Sequence, residues 1–383
     1  MQTIPATPSL AHTLDRLAHM EAMPFPLVSL YLNAQPDSRG KDNYAAFVRK
    51  ELRARVRDFE PRSAERESFE RDVDRIERWL AGEVRPSANG IAIFACSAAN
   101  YFEVLQLDAP IERHRLTLGD RPHLYPLARL LDRYPRHAVV LADTNQARIY
   151  VFGRGRTIDR EELTSPKMSR HDMGGWSQLR YQRHVENLHL HHAKDLVEAL
   201  ARIVAEDRAE RVFLCGDEVI VPLLRSHLTK DLAQKVVGVL RLEIRTPEQE
   251  VMETARVALA AHEAKEEAER VQGLRGEWRS GGLAVAGRRA VREALANGQI
   301  DELSISTALV ESNPITAGGG ERTAQSMPFP DELVHHALVT GAVVRFVEVT
   351  QLLADMGGVA ATLRYRPGAT PRNNSPVERK VEA

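Results

Sequence analysis

The order of apolar and polar positions along the chain alternates between short apolar runs and segments with helical spacing. The run PLVSLYLN, residues 26–33, reads as a strand, and the polar, glycine-containing AQPDSRGKDN after it reads as a turn. From residue 44 to 59, Val48, Leu52, Val56 and Phe59 recur at helical spacing while Arg49, Lys50, Arg53, Arg55 and Arg57 fill the remaining surface. A second helix carries the stripe Phe69, Val73, Ile76 and Leu80 and stops at RPSANG, before the strands IAIFAC and YFEVLQL. These elements make a compact N-terminal α+β domain over residues 1–134.

HAVVLAD and QARIYVFG form the two strands of a hairpin that opens a second unit. The polar stretch GRGRTIDREELTSPKMSRHDMGG follows and reads as one long loop, a length that compact domains usually keep for function. A helix over residues 177–206 is expected to bury Val185, Leu188, Leu196, Leu200 and Ile203. RVFLCG, a short helix and VVGVLRLEI complete an α/β pattern with a mixed sheet. Residues 248–278 read as one long charged helix that the glycines of GLRGEWRSGG break, which closes a middle domain at 135–278. A third α/β domain, 279–367, contains a helix ending at Asn297-Gly298, a strand, a polar stretch at 309–326 expected to be mobile, a second helix and two strands. Residues 368–383 form a polar tail without periodicity, expected to be disordered.

Composition narrows the class. With 383 residues, 43% hydrophobic and 27% charged, the chain is long enough for two or three domains and resembles ordinary globular proteins. A formal net charge of −1 removes any bulk electrostatic argument for nucleic acid, so a polyanionic partner must be met by local basic surfaces. Cys96 and Cys215, the only cysteines, lie in apolar strand runs and read as buried structural residues. No apolar run reaches the length of a membrane span and the N-terminus does not read as a signal peptide, so a cytoplasmic protein without membrane contact is expected.

The candidate chemistry gathers around MGGWSQLRYQR, residues 173–183. Gly174 and Gly175 supply a slender turn that can take positive φ, because glycine lacks Cβ. On the helix that follows, Arg180, Arg183, His184, Asn187, His191 and Lys194 fall at spacings of three and four, on one face opposite the apolar stripe. Acids are few here, so the face suits RNA phosphates, the alternative being a solvated surface. Trp176 suits either a buried anchor or a ring stacked on a base. HLHH, residues 189–192, invites a metal reading, but Val185 and Ala193 occupy the positions four residues either side of His189, so no metal site is expected. The basic helix RKELRARVR is a second, weaker candidate for RNA.

The order of elements and two motifs resemble the archaeal and eukaryotic class-I peptide-chain release factors and their relative Pelota. Their Gly-Gly-Gln-Ser loop and basic helix are similar to Gly174-Gly175-Trp176-Ser177 with Leu179-Arg180-Tyr181 and Arg183. Their C-terminal Gly-Gly-Ile-Gly-Gly-Ile-Leu-Arg-Tyr segment is similar to GGVAATLRYRP. GGWSQLRYQR further resembles the bacterial archaeo-eukaryotic release factor families, family 10 in particular. The resemblance implies a three-domain, release-factor-like architecture of α/β and α+β domains with a mixed-sheet middle domain and a C-terminal kink-turn-ribosomal-protein-like α/β sandwich. It also implies a ribosome-associated rescue factor that enters the A site and hydrolyses peptidyl-tRNA, and a C-terminal domain open to a translational GTPase. In that reading Gly174, Gly175 and Gln178 form the catalytic tip, Trp176, Arg180, Arg183, His184, His191 and Lys194 contact RNA, and no cofactor is needed. By that resemblance the loop places a water at the ester, since glutamine does not titrate and is no ordinary general base.

The departures keep other readings open. Trp176 stands where the family has glutamine, and the nearest glutamine is Gln178; neither Asn-Ile-Lys-Ser nor Tyr-x-Cys-x-x-x-Phe, the family's stop-codon readers, occurs in the first domain. Stop-codon specificity is therefore not expected. Non-hydrolytic occupancy of the A site in hibernation or stress is the alternative, and a non-ribosomal adaptor binding RNA or protein is the second, since a fold does not fix function.

Overall fold

The computed structural model describes residues 10–36, 44–133, 135–153, 156–164, 178–207, 209–311 and 327–366. These residues carry three sheets, and the chain divides into two compact units, one made of residues 1–267 with 315–327, the other of 268–314 with 328–383. No helix among the described residues is long and apolar enough to cross a membrane.

The first unit opens with α1 (Leu10–Ala18) and β1 (Leu27–Asn33), followed by α2 (Ala45–Val56), α3 (Ala64–Gly82), β2 (Gly90–Cys96), β3 (Tyr101–Leu107), β4 (Arg115–Gly119) and α4 (Tyr125–Arg133). The strands form an antiparallel sheet in the order β3-β2-β1-β4, with β1 central and pairing Leu30 with Ile93 on one side and Leu116 on the other. Its alternate residues point to opposite faces, so Val28, Leu30, Leu32, Ile91 and Ile93 meet Val48, Leu52, Phe69 and Ile76 of α2 and α3. Both faces are covered, which explains the uninterrupted burial of β2 and the near-complete burial of β1. Ser63 caps α3 by accepting from the Arg66 amide at 3.2 Å. The Ser97 hydroxyl donates to Asp72 at 2.5 Å, and burial raises the Asp72 carboxyl above its usual range.

The second sheet belongs to the same unit and runs β7-β6-β5-β8-β9, built from β5 (His137–Ala142), β6 (Gln146–Gly153), β7 (Arg156–Thr164), β8 (Arg211–Gly216) and β9 (Val236–Leu240). β5, β6 and β7 are antiparallel neighbours, while β8 and β9 run parallel to β5, giving the mixed sheet expected from the α/β alternation. One face packs on α5 (Gln178–Glu206), α6 (Ile220–His227) and α7 (Lys230–Lys235); the other receives Val251, Ala255 and Leu259 of α8 (Glu248–Arg279). Cys215 is buried in β8, where burial pushes its thiol up to about 12, and Cys96 is buried in β2. Both are structural, as their apolar runs suggest.

Part of the segment expected after β6 as one long loop is a strand. Residues 156–164 pair with β6 as the edge strand β7, and Ile158 and Leu163 pack against the sheet core. The charged residues between them conceal the strand in a hydrophobicity reading, because an edge strand keeps polar groups toward water.

The other unit contains a sheet ordered β10-β13-β11-β12, from β10 (Ala284–Ala286), β11 (Ile300–Ser306), β12 (Val343–Val347) and β13 (Val359–Leu363), with α9 (Arg288–Ala296), α10 (Ala308–Glu311) and α11 (Phe329–Val339). Ala284, Val347 and Ala360 meet Val271 and Leu274 from the last turns of α8 and Leu353 and Met356 from a 3-10 segment at 350–356. The polar stretch expected from residue 309 begins instead inside α10; residues 312–326 and 367–383 lie outside the described residues, as do residues 1–9.

Candidate functional site

The candidate site begins where β7 ends. The glycine pair Gly174-Gly175 and Trp176 lie outside the described residues, and the description resumes at Gln178, the first residue of α5. Arg180 and His184 are placed on the first two turns of that helix, their side chains being outside the described set. Position and sequence therefore agree on one point: a helix starts within three residues of the glycine pair.

α5 divides into two stretches of different environment. From residue 192 onward, Ala193, Leu196, Val197, Leu200, Ile203 and Val204 are buried against the middle sheet at intervals of three and four. Each large aliphatic side chain so buried contributes roughly 1.5–3 kcal/mol by transfer from water. Between residues 183 and 191 no described residue is buried: Val185, Leu188, His189 and Leu190 are half-buried, while Arg183, Glu186, Asn187 and His191 are exposed. Val185 and Leu188, expected in the core, therefore anchor the helix only weakly.

Two cations of the exposed face have no ion pair among the described residues. Arg183 and Lys194 have no ion-pair partner among the described residues, and both are exposed. Arg202, about two turns beyond Lys194 on the same helix, is by contrast taken by Glu161 of β7 at 2.7 Å and faces Glu206 at 3.9 Å. Uncommitted cations remain available to phosphate oxygens, whereas a cation already held by a carboxylate must break that pair first. The helical period separates the histidines of HLHH: His191 faces solvent and His192 is buried at 3% exposure. Among the described residues no three histidine, cysteine or acidic side chains gather as a metal-binding group.

The sequence reading missed how the loop is anchored. Before the loop, Thr157 of β7 donates to Glu248 of α8, Arg160 pairs with Glu162 and reaches Glu248 at 3.5 Å, and the Arg160 guanidinium lies 5.6 Å from the Tyr150 ring centre. After the loop, α5 is fixed by its buried half. The one available signal was the pair Ile158 and Leu163, too sparse to mark a strand. On the second candidate surface, Arg49, Lys50, Arg53 and Arg57 of α2 are exposed, and Arg55 is held by Asp58 at 3.3 Å.

Comparison with known proteins adds to this geometry. Residues 122–263 match the model described as bacterial archaeo-eukaryotic release factor family 10, less than half of the chain but including the middle sheet, the glycine-pair loop and α5. No curated protein sequence matches. Among solved structures, the archaeal translation termination factor aRF1 is 18% identical over 93% of this chain and 97% of its own, with a TM-score of 0.25. Dom34 of S. cerevisiae, described as a translation termination-like factor in RNA quality control that interacts with Hbs1, is 13% identical over 73% and 82%, with a TM-score of 0.43. Archaeoglobus fulgidus Pelota is 17% identical over 74% and 82%, with a TM-score of 0.33. The stretch that holds the glycine pair and α5 is similar in sequence to the bacterial archaeo-eukaryotic release factor family 10.

Proposed function

We propose that the protein is a ribosome-associated rescue factor that enters the A site and hydrolyses peptidyl-tRNA on stalled ribosomes without reading a stop codon. The observation that carries this reading is the release-factor-like sequence match over the loop and α5, combined with the uncommitted cations on the helix directly behind the loop. Gly174 and Gly175 give the tip a backbone narrow enough to approach the ester, and Gln178 orients the attacking water. Arg183, His191 and Lys194, with Arg180 and His184, hold the base of the loop on RNA phosphates, while Trp176 stacks on an exposed base. The polar surroundings that stabilise the developing charge come from ribosomal RNA and tRNA, so no cofactor is required. The C-terminal unit is the candidate surface for a translational GTPase.

Trp176 favours one other reading. It stands directly after the glycines, where the resembling families carry glutamine, and a bulky ring there suits occupancy of the A site without hydrolysis. Release of labelled peptide from stalled 70S complexes separates the two. Wild-type release that falls at least about a hundredfold in Gln178→Ala and Gly175→Ala, with ribosome binding retained, is the expected result and is the scale of losing one positioned catalytic group. Binding without release by the wild type makes the protein an A-site occupant. Absence of co-sedimentation with ribosomes at low salt favours the non-ribosomal adaptor.

A further inference from the structure

The two edges of the middle sheet are built differently. β7 carries Arg156, Asp159, Arg160, Glu161 and Glu162 within the strand, and charge also marks the edge strands β3 (Glu103), β4 (Arg115) and β12 (Arg345) of the other sheets. An edge strand offers a row of unpaired amides and carbonyls to any other chain, and charge within it is a common guard against pairing. β9, the opposite edge of the middle sheet, reads Val-Val-Gly-Val-Leu and holds neither a charged residue nor a proline. β10 is uncharged too, but it is three residues long. Among the described residues β9 pairs with β8 alone. None of its residues is buried, although residues 212–215 of β8 beside it all are.

Three observations bear on what this edge receives. The ladder with β8 shifts register at Val237 and is regular over residues 238–240. Beyond it, Leu240 and Leu242 pack on the α8 side while Val239, Arg241 and Glu243 are exposed, the period of two that marks an extended chain. The free edge thus continues past the last pair with β8. Second, the chain's own packing does not require glycine at Gly238. Its φ is not positive, and a Cβ there would come no closer than 3.8 Å, to the Phe213 ring. A glycine inside a strand weakens it and often marks the close approach of another backbone. Third, residues 235–245 hold Lys235, Arg241 and Arg245 against one acid, Glu243. Arg241 and Arg245 are exposed and have no ion pair among the described residues, and Lys235 donates to a neutral acceptor, the Ala209 carbonyl, at 2.8 Å. In-register pairing of β9 with a second copy sets cation against cation, Lys235 opposite Arg241 when antiparallel and each opposite itself when parallel. Like charges directly opposite destabilise a sheet, whereas a strand with a carboxylate at each end meets opposite charge there.

We infer that the β9 edge accepts an added strand from another protein, an extended, largely apolar segment of about five to seven residues with acidic side chains at its ends. Main-chain hydrogen bonds to the free edge hold the segment, and Val239, 43% exposed, gives it an apolar contact. Lys235 and Arg241 set its register by charge. β9 lies at the other side of the sheet from β7, and the inference does not depend on the chemistry proposed for the glycine-pair loop.

The test is an amide-resolved NMR titration of the full chain with a capped peptide of about seven residues, alternating valine and threonine between two terminal glutamates. Saturable shifts centred on residues 236–241 are expected, with slowed amide exchange in β9. Two further peptides act on the wild-type chain, so they do not depend on how any variant folds. One, N-methylated at alternate residues, lacks the main-chain donors and should not bind; the other, with lysines in place of the glutamates, should bind more weakly. Arg241→Glu should weaken binding of the acidic peptide by about fivefold, the scale of exchanging one attractive cross-strand pair for a repulsive one, and should favour the lysine peptide. Val239→Lys, which places charge within the edge, should abolish binding. Absence of saturable shifts, or shifts centred outside β9, overturns the inference, as does equal binding of the N-methylated peptide. Equal binding of the acidic and lysine peptides overturns the acidic assignment. Self-association of the chain that Val239→Lys abolishes would also overturn it, by making the edge an interface between copies.

Discussion

Gly216, at the end of β8, shows how tightly single positions are constrained. A Cβ there would lie 2.6 Å from the Ala142 carbonyl oxygen and 2.6 Å from the Ile220 side chain, so backbone would have to move. Gly216→Ala is expected to destabilise the middle sheet by about 1–3 kcal/mol, measured by urea unfolding, the range for overpacking. Arg183 and Lys194 stand at the opposite extreme, exposed and without an ion pair among the described residues. Arg183→Ala and Lys194→Ala should leave stability within about 0.5 kcal/mol of wild type. If α5 docks on RNA, each should weaken ribosome binding and lower the slope of log affinity against log salt by about 1, whatever the codon in the A site. Loss of binding without a change of slope would remove the phosphate contacts from the reading.

At the scale of elements, α5 joins a packed half to an unpacked one, and the two should respond differently to the same substitution. Leu200→Ala, at a site 2% exposed within the sheet core, is expected to cost about 2–5 kcal/mol. Leu188→Ala, at a half-buried site, should cost under about 1 kcal/mol, because less apolar area leaves water. Equal costs in denaturant unfolding would mean that the first turns are packed as firmly as the last. The strand β7 carries the other side of the loop. Its backbone is satisfied by β6 along one edge, its apolar contribution is confined to Ile158 and Leu163, and its charged residues are spent on pairs with Arg148, Arg202 and Glu248. The described residues before the glycine pair thus end in an electrostatically tied strand, and those after it open a helix whose first buried residues are His192 and Ala193.

For the whole molecule, pH dependence should report the packing of α8 on the first unit. Burial, reinforced by the Asp132 charge, pushes the Glu263 carboxyl up from 4.5 to about 7. Between those values the folded chain holds a proton that the unfolded chain has lost, so this group makes stability fall as pH rises through the window. Glu263→Gln should therefore match wild type below the window and exceed it above by about 1 kcal/mol, a figure discounted for the carboxyl's partial exposure. Denaturation midpoints on either side of the window check this; a variant less stable than wild type at high pH would show that the ionised carboxylate is stabilising.

By itself the sequence determined the elements whose period is strong and unmixed: β1 and β2 as apolar runs, α3 and the buried half of α5 as helical stripes, α9 with β11 around Asn297-Gly298, and the exposed face bearing Arg183, His191 and Lys194. Local period suffices there because burial of one face selects the element. The tertiary structure alone decided that residues 156–164 are an edge strand, since pairing with β6 outweighs a charged composition. It also decided which cations are already committed, because ion pairs such as Arg202 with Glu161 join residues far apart in sequence. The approach of Gly357 to Gly287 is likewise a tertiary product: a Cβ on Gly357 would lie 3.6 Å from the Gly287 Cα, and no spacing along the chain encodes that approach.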